Sequence, residues 1–458
     1  MHFRSILDLS KDIKSKKLSP VELTRYMLER IEVKDPDIRS FLAVTADRAA
    51  EQALKAEREI MSGLWRGPLH GIPLAIKDII YTSFANTTAG TGIHKDFRPS
   101  FNATVVDRLE NHGAVTLGKL ATTEQAFSEH HPLVPIPLNP WNPGYFVGAS
   151  SSGSGAATAA GLAFGTLGSD TGGSIRLPCA ANGITGLKPT WGRVSRHGAF
   201  ALADSLDHIG PMTRSAADAA IMMNAMAGQD PKDPTCLREP VPDYLAECFK
   251  GIQGLRVGMP WDYATTGVDA EVVQTWKAAA EVLELLGAEL RSITFPDWEE
   301  AVGYWPTLCA AETAWAHRDF HPSRKSEYGT VLSEFIEKGQ RTSAVELAGA
   351  NISRLEFNGR YRALFDEVDV FLIPVFPTKV LNQSAWEENA GKDFSSYIRY
   401  AIPADLTGCP TITFPAGFDT NGMPVAMQLC GPSLSEGDLF RVAAAYQRVT
   451  NWHTRHPE

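Results

Sequence analysis

The chain has 458 residues, a formal net charge of −10 and six cysteines; a chain of this length buries roughly 75% of its unfolded surface and needs no metal or disulfide staple. The acidic balance argues against nucleic acid as the main partner, and no apolar run approaches the roughly 20 residues that span a bilayer. The cysteines are scattered without a C-x-x-C pair, as expected of buried thiols in a reducing cytoplasm rather than of zinc ligands, and the opening MHFRSILDLSKDIK lacks an apolar run, so no signal peptide is expected.

In chain order, Leu18-Ser-Pro-Val-Glu22 predicts a helix start, with Ser19 as cap, Pro20 in the first turn and Glu22 closing a capping box. Leu23, Met27, Leu28 and Ile31 then form one apolar stripe. A second helix is predicted from Ala46 to Met61, ending before Gly63. Pro73–Ile80 and Val115–Lys119 read as buried strands, separated by a helical segment from Ala103 to His112. A short helix is expected over Ala156–Gly161. Gly254–Met259 reads as a strand and Asp269–Leu286 as an amphipathic helix with Val273, Trp276, Ala279, Leu283 and Leu286 on one face. Leu290–Phe295 and Asp369–Val375 are further strands, 301–365 is mostly helical, and 381–400 reads as a long irregular loop. This alternation predicts an α/β layer fold around a buried mixed sheet. No repeat or linker divides it, so residues 1–458 are expected to form one domain.

Three segments carry chemistry. Gly168-Ser-Asp-Thr-Gly-Gly-Ser-Ile-Arg176 places Ser174 after two glycines, which permit tight backbone curvature. The N–H groups of Thr171, Gly172, Gly173 and Ser174 can then converge as an oxyanion hole, where one donor contributes ~3–4 kcal/mol to the transition state. Alone, such a turn equally reads as a serine capping the next helix. Ser150, in Gly148-Ala-Ser-Ser-Ser-Gly-Ser-Gly155, reads as a polar loop, a helix cap or a phosphate cradle. Neither G-x-x-x-x-G-K-[ST] nor G-x-G-x-x-G supports a nucleotide there, and the G-x-S-x-G elbow is absent. Lys77, ending Ile72-Pro-Leu-Ala-Ile-Lys77, is by default a snorkelling surface lysine. Buried, it would instead be a neutral amine able to act as a base. Asp78 would oppose that shift, but strand alternation turns it to the other face. His317-x-x-x-His321 has ligand spacing, yet no carboxylate completes a metal site.

Taken together, these segments resemble the amidase signature family of Ser–Ser–Lys hydrolases. The resemblance rests on GPLHGIPLAIKD (67–78), TTAGT (87–91), NATVVDRLENHGAVTLGKL (102–120), GASSSGSGAA (148–157), GSDTGGSIRLP (168–178), GLKPTWGRVSRHG (186–198) and SLDHIGPMTRS (205–215), with a weaker tail over 404–432. It implies a single large α/β domain whose central mixed sheet has about eleven strands surrounded by helices. Residues 67–215 would be the signature core and 301–400 the variable substrate-pocket region. By motif, Ser174 is the nucleophile, Ser150 the bridging serine, Lys77 the base and Thr171–Ser174 the oxyanion hole, with Asp170 and Arg176 bracing the turn. The resemblance also implies a cis bond between Ala149 and Ser150. Alanine replaces the family's usual glycine at 149, and its methyl is expected to narrow the acyl side of the pocket.

The implied activity is cleavage of small amides, arylamides or carbamates through an acyl-enzyme, with no cofactor and no metal. The alternative is the glutaminase component of a tRNA-dependent amidotransferase, which shares these motifs. The expected partner is a small amide or carbamate, with neither nucleic acid nor membrane; homodimerisation stays open, and the expected location is cytoplasmic. Ala126, Phe127, Gly148 and Ala149 are the expected substrate contacts. Phe127, Trp305, Trp315, Trp386 and Tyr397 are candidates for an aromatic entrance, equally readable as core.

Overall fold

Strand β2 (Pro73–Lys77) is buried at all five positions, the pattern of a strand covered on both faces. Its parallel neighbours are β3 (Val115–Leu120) and β4 (Gly165–Asp170), each buried throughout. The computed structural model describes residues 1–390 and 397–458. Across them the sheet has eleven strands, the others being β1 (Phe41–Val44), β5 (Thr185–Lys188), β6 (His208–Thr213), β7 (Arg256–Met259), β8 (Glu289–Ser292), β9 (Val370–Pro374), β10 (Thr411–Phe418) and β11 (Pro424–Cys430). Their order is β1-β3-β2-β4-β6-β5-β10-β11-β9-β7-β8. Parallel pairs lie toward both ends, and an antiparallel block from β4 to β9 joins them. This is the mixed α/β sheet expected, wrapped by helices.

The helix Ala46–Met61 forms where its apolar period predicts. At Ser19 only half of the expected capping box exists. The Ser19 hydroxyl accepts the N–H groups of Val21 and Glu22, but among the described residues the Glu22 carboxylate does not return to the Ser19 backbone N–H, and the Ser19 hydroxyl donates to Glu57. A reciprocal box occurs instead at Ser343 and Glu346, opening Ala344–Glu367. In the helix Ala270–Leu285 the buried face runs through Val272, Trp276, Ala279, Ala280 and Leu283, so Val273 and Leu286 are only half-buried. The span 381–400 is not simply a loop: Gln383–Ala390 is helical, and 391–396 lies outside the described residues.

The short central helix begins at Ser152, earlier than expected, and runs to Ala159 with every residue buried. Its composition of Ser, Gly, Ala and Thr follows from close backbone approach. A Cβ on Gly153 would stand 2.6 Å from both the Ala121 nitrogen and the Ser40 oxygen. Larger side chains cannot occupy this seam, which brings the turn before the helix against the carboxyl ends of β2 and β4. In open α/β sheets that edge is where ligands bind.

Candidate active site

Lys77 ends β2 and is fully buried, which excludes the snorkelling alternative. Its Nζ lies within hydrogen-bond distance of three hydroxyls: Ser150 at 2.7 Å, Ser169 at 2.8 Å and Ser151 at 2.9 Å. Burial pushes the amine down to about 7, against the opposing charges of Asp170 and Asp207. Asp78 does point away, as alternation requires, and pairs with the buried Lys119 at 2.9 Å. The Asp78 carboxylate is thus spent on the second lysine.

The hydrogen-bond pattern constrains the protons. The Ser151 hydroxyl donates to the Ser169 carbonyl at 3.2 Å, so its oxygen can only accept from Lys77. A neutral amine keeps two N–H donors and one lone pair. With one N–H spent on Ser151, the lone pair faces the proton of Ser150 or Ser169. Ser150 also lines a cavity that contains Ser174. The peptide bond between Ala149 and Ser150 is cis.

Ser174 is half-buried at the wall of that cavity, and among the described residues its hydroxyl makes no hydrogen bond. The preceding turn is shaped by Asp170, whose carboxylate accepts the N–H groups of Gly173 (2.6 Å) and Ile175 (2.9 Å). Gly173 adopts φ +112°, a region that side-chain-bearing residues avoid. Its N–H is therefore committed to Asp170. Of the four expected oxyanion donors, those of Thr171, Gly172 and Ser174 have no acceptor among the described residues.

Asp170 and the buried Arg176 form a bidentate ion pair, at 2.9 and 3.1 Å. Burial alone would raise the carboxyl, but the guanidinium outweighs it and holds Asp170 far below the usual range. Removing the carboxylate leaves the buried guanidinium without its bidentate partner and strands the backbone donors of the turn. Asp170→Ala should therefore cost about 3–5 kcal/mol of stability, read as a lower urea midpoint; an unchanged midpoint would contradict the bracing role.

Ala126, Phe127 and Ala149 line the cavity. Gly148 does not: it is buried against Pro178, whose Cα would stand 2.3 Å from a Cβ there. Of the five candidate aromatics, Phe127, Trp305 and Trp386 line the cavity. Trp315 is 65% exposed and Tyr397 is buried behind Trp386, their ring centroids 4.8 Å apart. Trp305 is also tied to the turn, its indole N–H donating to the Thr171 carbonyl at 3.0 Å. His317 and His321 are engaged with the hydroxyls of Tyr328 and Ser333.

Sequence reasoning missed Ser151 and Ser169, the two further hydroxyls on Lys77. Ser151 directly follows Ser150 and was open to detection. Ser169 contacts Lys77 only because β2 and β4 are parallel neighbours.

The sheet and comparisons with known proteins define a hydrolase of carbon–nitrogen bonds. The chain belongs to the amidase family, the amidase signature enzymes, whose sequence model matches residues 22–440. It is 42% identical to a Mycobacterium tuberculosis protein named as the amidase AmiD, over 97% of this chain and 94% of that one. It is 38% identical, over the whole of both chains, to a glutamyl-tRNA(Gln) amidotransferase subunit of Pseudomonas savastanoi. Among solved structures, the peptide amidase of Stenotrophomonas maltophilia superimposes with a TM-score of 0.86 at 28% identity, covering 99% of this chain and 98% of that one.

Proposed function

We propose that this chain is a Ser–Ser–Lys amidohydrolase that cleaves small amides, arylamides or carbamates through an acyl-enzyme on Ser174. The observation that carries the reading is Lys77: a fully buried amine, lowered to about 7, 2.7 Å from a hydroxyl that shares a cavity with Ser174. The neutral amine takes the Ser150 proton as Ser150 takes that of Ser174, and the Ser174 oxygen attacks the carbonyl. The open N–H groups of Thr171, Gly172 and Ser174 receive the developing oxyanion. As the tetrahedral intermediate collapses, Ser150 delivers a proton to the departing nitrogen and recovers one from Lys77. Water then attacks the ester by the same relay, releasing the acid and restoring Ser174.

A second reading, the glutaminase component of an amidotransferase, draws support from the 38% identity to the Pseudomonas savastanoi protein. Free glutamine presents an ammonium and a carboxylate, each needing a charged or strongly polar partner when desolvated. None of the described residues lining the cavity is charged, and Phe127, Leu177, Leu202, Trp305 and Trp386 make most of its wall apolar. This favours an uncharged amide. The test is a panel of aryl amides, aliphatic amides, carbamates and glutamine on the purified chain alone. Turnover of apolar amides or carbamates without glutaminase activity is expected; glutamine as the sole substrate would reverse the assignment.

A further inference from the structure

The turn that carries Ser174 is supported from a distant part of the chain. Residues 401–405, at the start of the helix Ile402–Thr407, pack directly on it. A Cβ on Gly173 would stand 2.9 Å from the Ala401 methyl, and one on Gly172 would stand 3.1 Å from the Ile402 side chain. Arg176 binds this segment twice, donating to the Ala401 carbonyl and to the Asp405 carboxylate, both at 2.7 Å. The same guanidinium holds Asp170, which in turn holds the Gly173 N–H. An unbroken chain of charge-assisted hydrogen bonds thus runs from Asp405 through Arg176 and Asp170 to the backbone beside Ser174. Such bonds are about twice as strong as neutral ones and fix orientation through the planar guanidinium.

Asp405 has no exposed surface. Among the described residues its second oxygen makes no hydrogen bond, and it lies 3.7 Å from His208 Nδ1. His208 in turn meets the buried Lys188 at 3.1 Å. A carboxylate is a costly side chain to bury for packing alone. Without it, Arg176 would keep Asp170 and the Ala401 carbonyl but lose its second carboxylate, loosening the hold on the guanidinium plane that orients Asp170.

We propose that Asp405 is a positioning residue for the oxyanion turn: by clamping Arg176, it holds Asp170 where the Gly173 N–H is drawn inward and the N–H groups of Thr171, Gly172 and Ser174 stay open to substrate. The assignment rests on the proposed acyl-transfer reading of the site. It also separates Asp405 from the proton relay. Stabilising the oxyanion is needed for amides and esters alike, whereas protonating the leaving group is needed mainly for amides.

The experiment compares wild-type enzyme, Asp405→Asn and Asp405→Ala on one aryl amide and one p-nitrophenyl ester, with thermal unfolding of each protein. Asparagine preserves shape and one acceptor for Arg176; alanine removes both. The expected result is a parallel loss of kcat on both substrates, about tenfold for the asparagine variant and about a hundredfold for alanine, with KM within threefold. Binding of an arylboronic acid, which mimics the tetrahedral adduct, should weaken in step. Wild-type kcat in a folded Asp405→Ala enzyme would overturn the assignment. So would a loss confined to the amide, or one accounted for by the unfolded fraction. A wild-type enzyme that turns over neither substrate would overturn the underlying reading of the site, a result distinguishable from failure at Asp405.

Discussion

Replacing Lys77 by alanine should lower kcat on amides by about 10³–10⁴-fold, the upper part of the roughly 10²–10⁴-fold that a positioned general base contributes, while activated esters lose only about ten- to a hundredfold. The difference follows from the leaving groups. A p-nitrophenolate departs unprotonated, but an amine does not, so the amide needs the lysine–serine relay in both directions. The wild-type profile carries a second signature. Because burial lowers Lys77 to about 7, the amine is protonated, and unable to accept a proton, below that pH. Amide kcat/KM should therefore rise with pH through about 7 and level off above it. The alanine variant should lack that acidic limb. Equal losses on amide and ester, or an unchanged limb, would count against Lys77 as the base.

Ser174→Ala should remove about five to six orders of magnitude from kcat on every substrate class, as loss of a serine nucleophile does elsewhere. Its side chain makes no hydrogen bond among the described residues, so the variant should unfold within a degree or two of wild type. That combination separates the nucleophile from its neighbours. Asp170→Ala is expected to act on stability, and Lys77→Ala is expected to discriminate between leaving groups. A Ser174→Ala enzyme retaining a tenth of wild-type activity would mean that another group attacks the carbonyl.

Much of this was legible in the sequence because local pattern and local structure coincide. The period of Ala46–Met61 and the buried run of Pro73–Lys77 each describe an element that forms on its own terms. The turn around Ser174 was legible for a related reason, since a glycine at φ +112° is dictated by the chain beside it. What the sequence could not display is pairing across the sheet. Ser169 meets Lys77 through strand adjacency, Lys119 takes Asp78 across β2 and β3, and Asp405 reaches Arg176 from 229 positions away. The same limit bears on which expected residues line the cavity. Gly148 has the composition of a ligand contact but faces Pro178, and Trp315 lies on the outer face of a helix whose Trp305 faces inward. Spacing locates a residue on an element; only packing decides what it touches.

The central claim, that acyl transfer passes through Ser174, is tested most directly by intact-mass measurement of the enzyme quenched while turning over a slow p-nitrophenyl carbamate, followed by peptide mapping. The account predicts a mass increase equal to the carbamoyl group on the peptide containing Ser174, formed before steady state and absent from Ser174→Ala. Turnover with no adduct, or an adduct carried by Ser150, would contradict it.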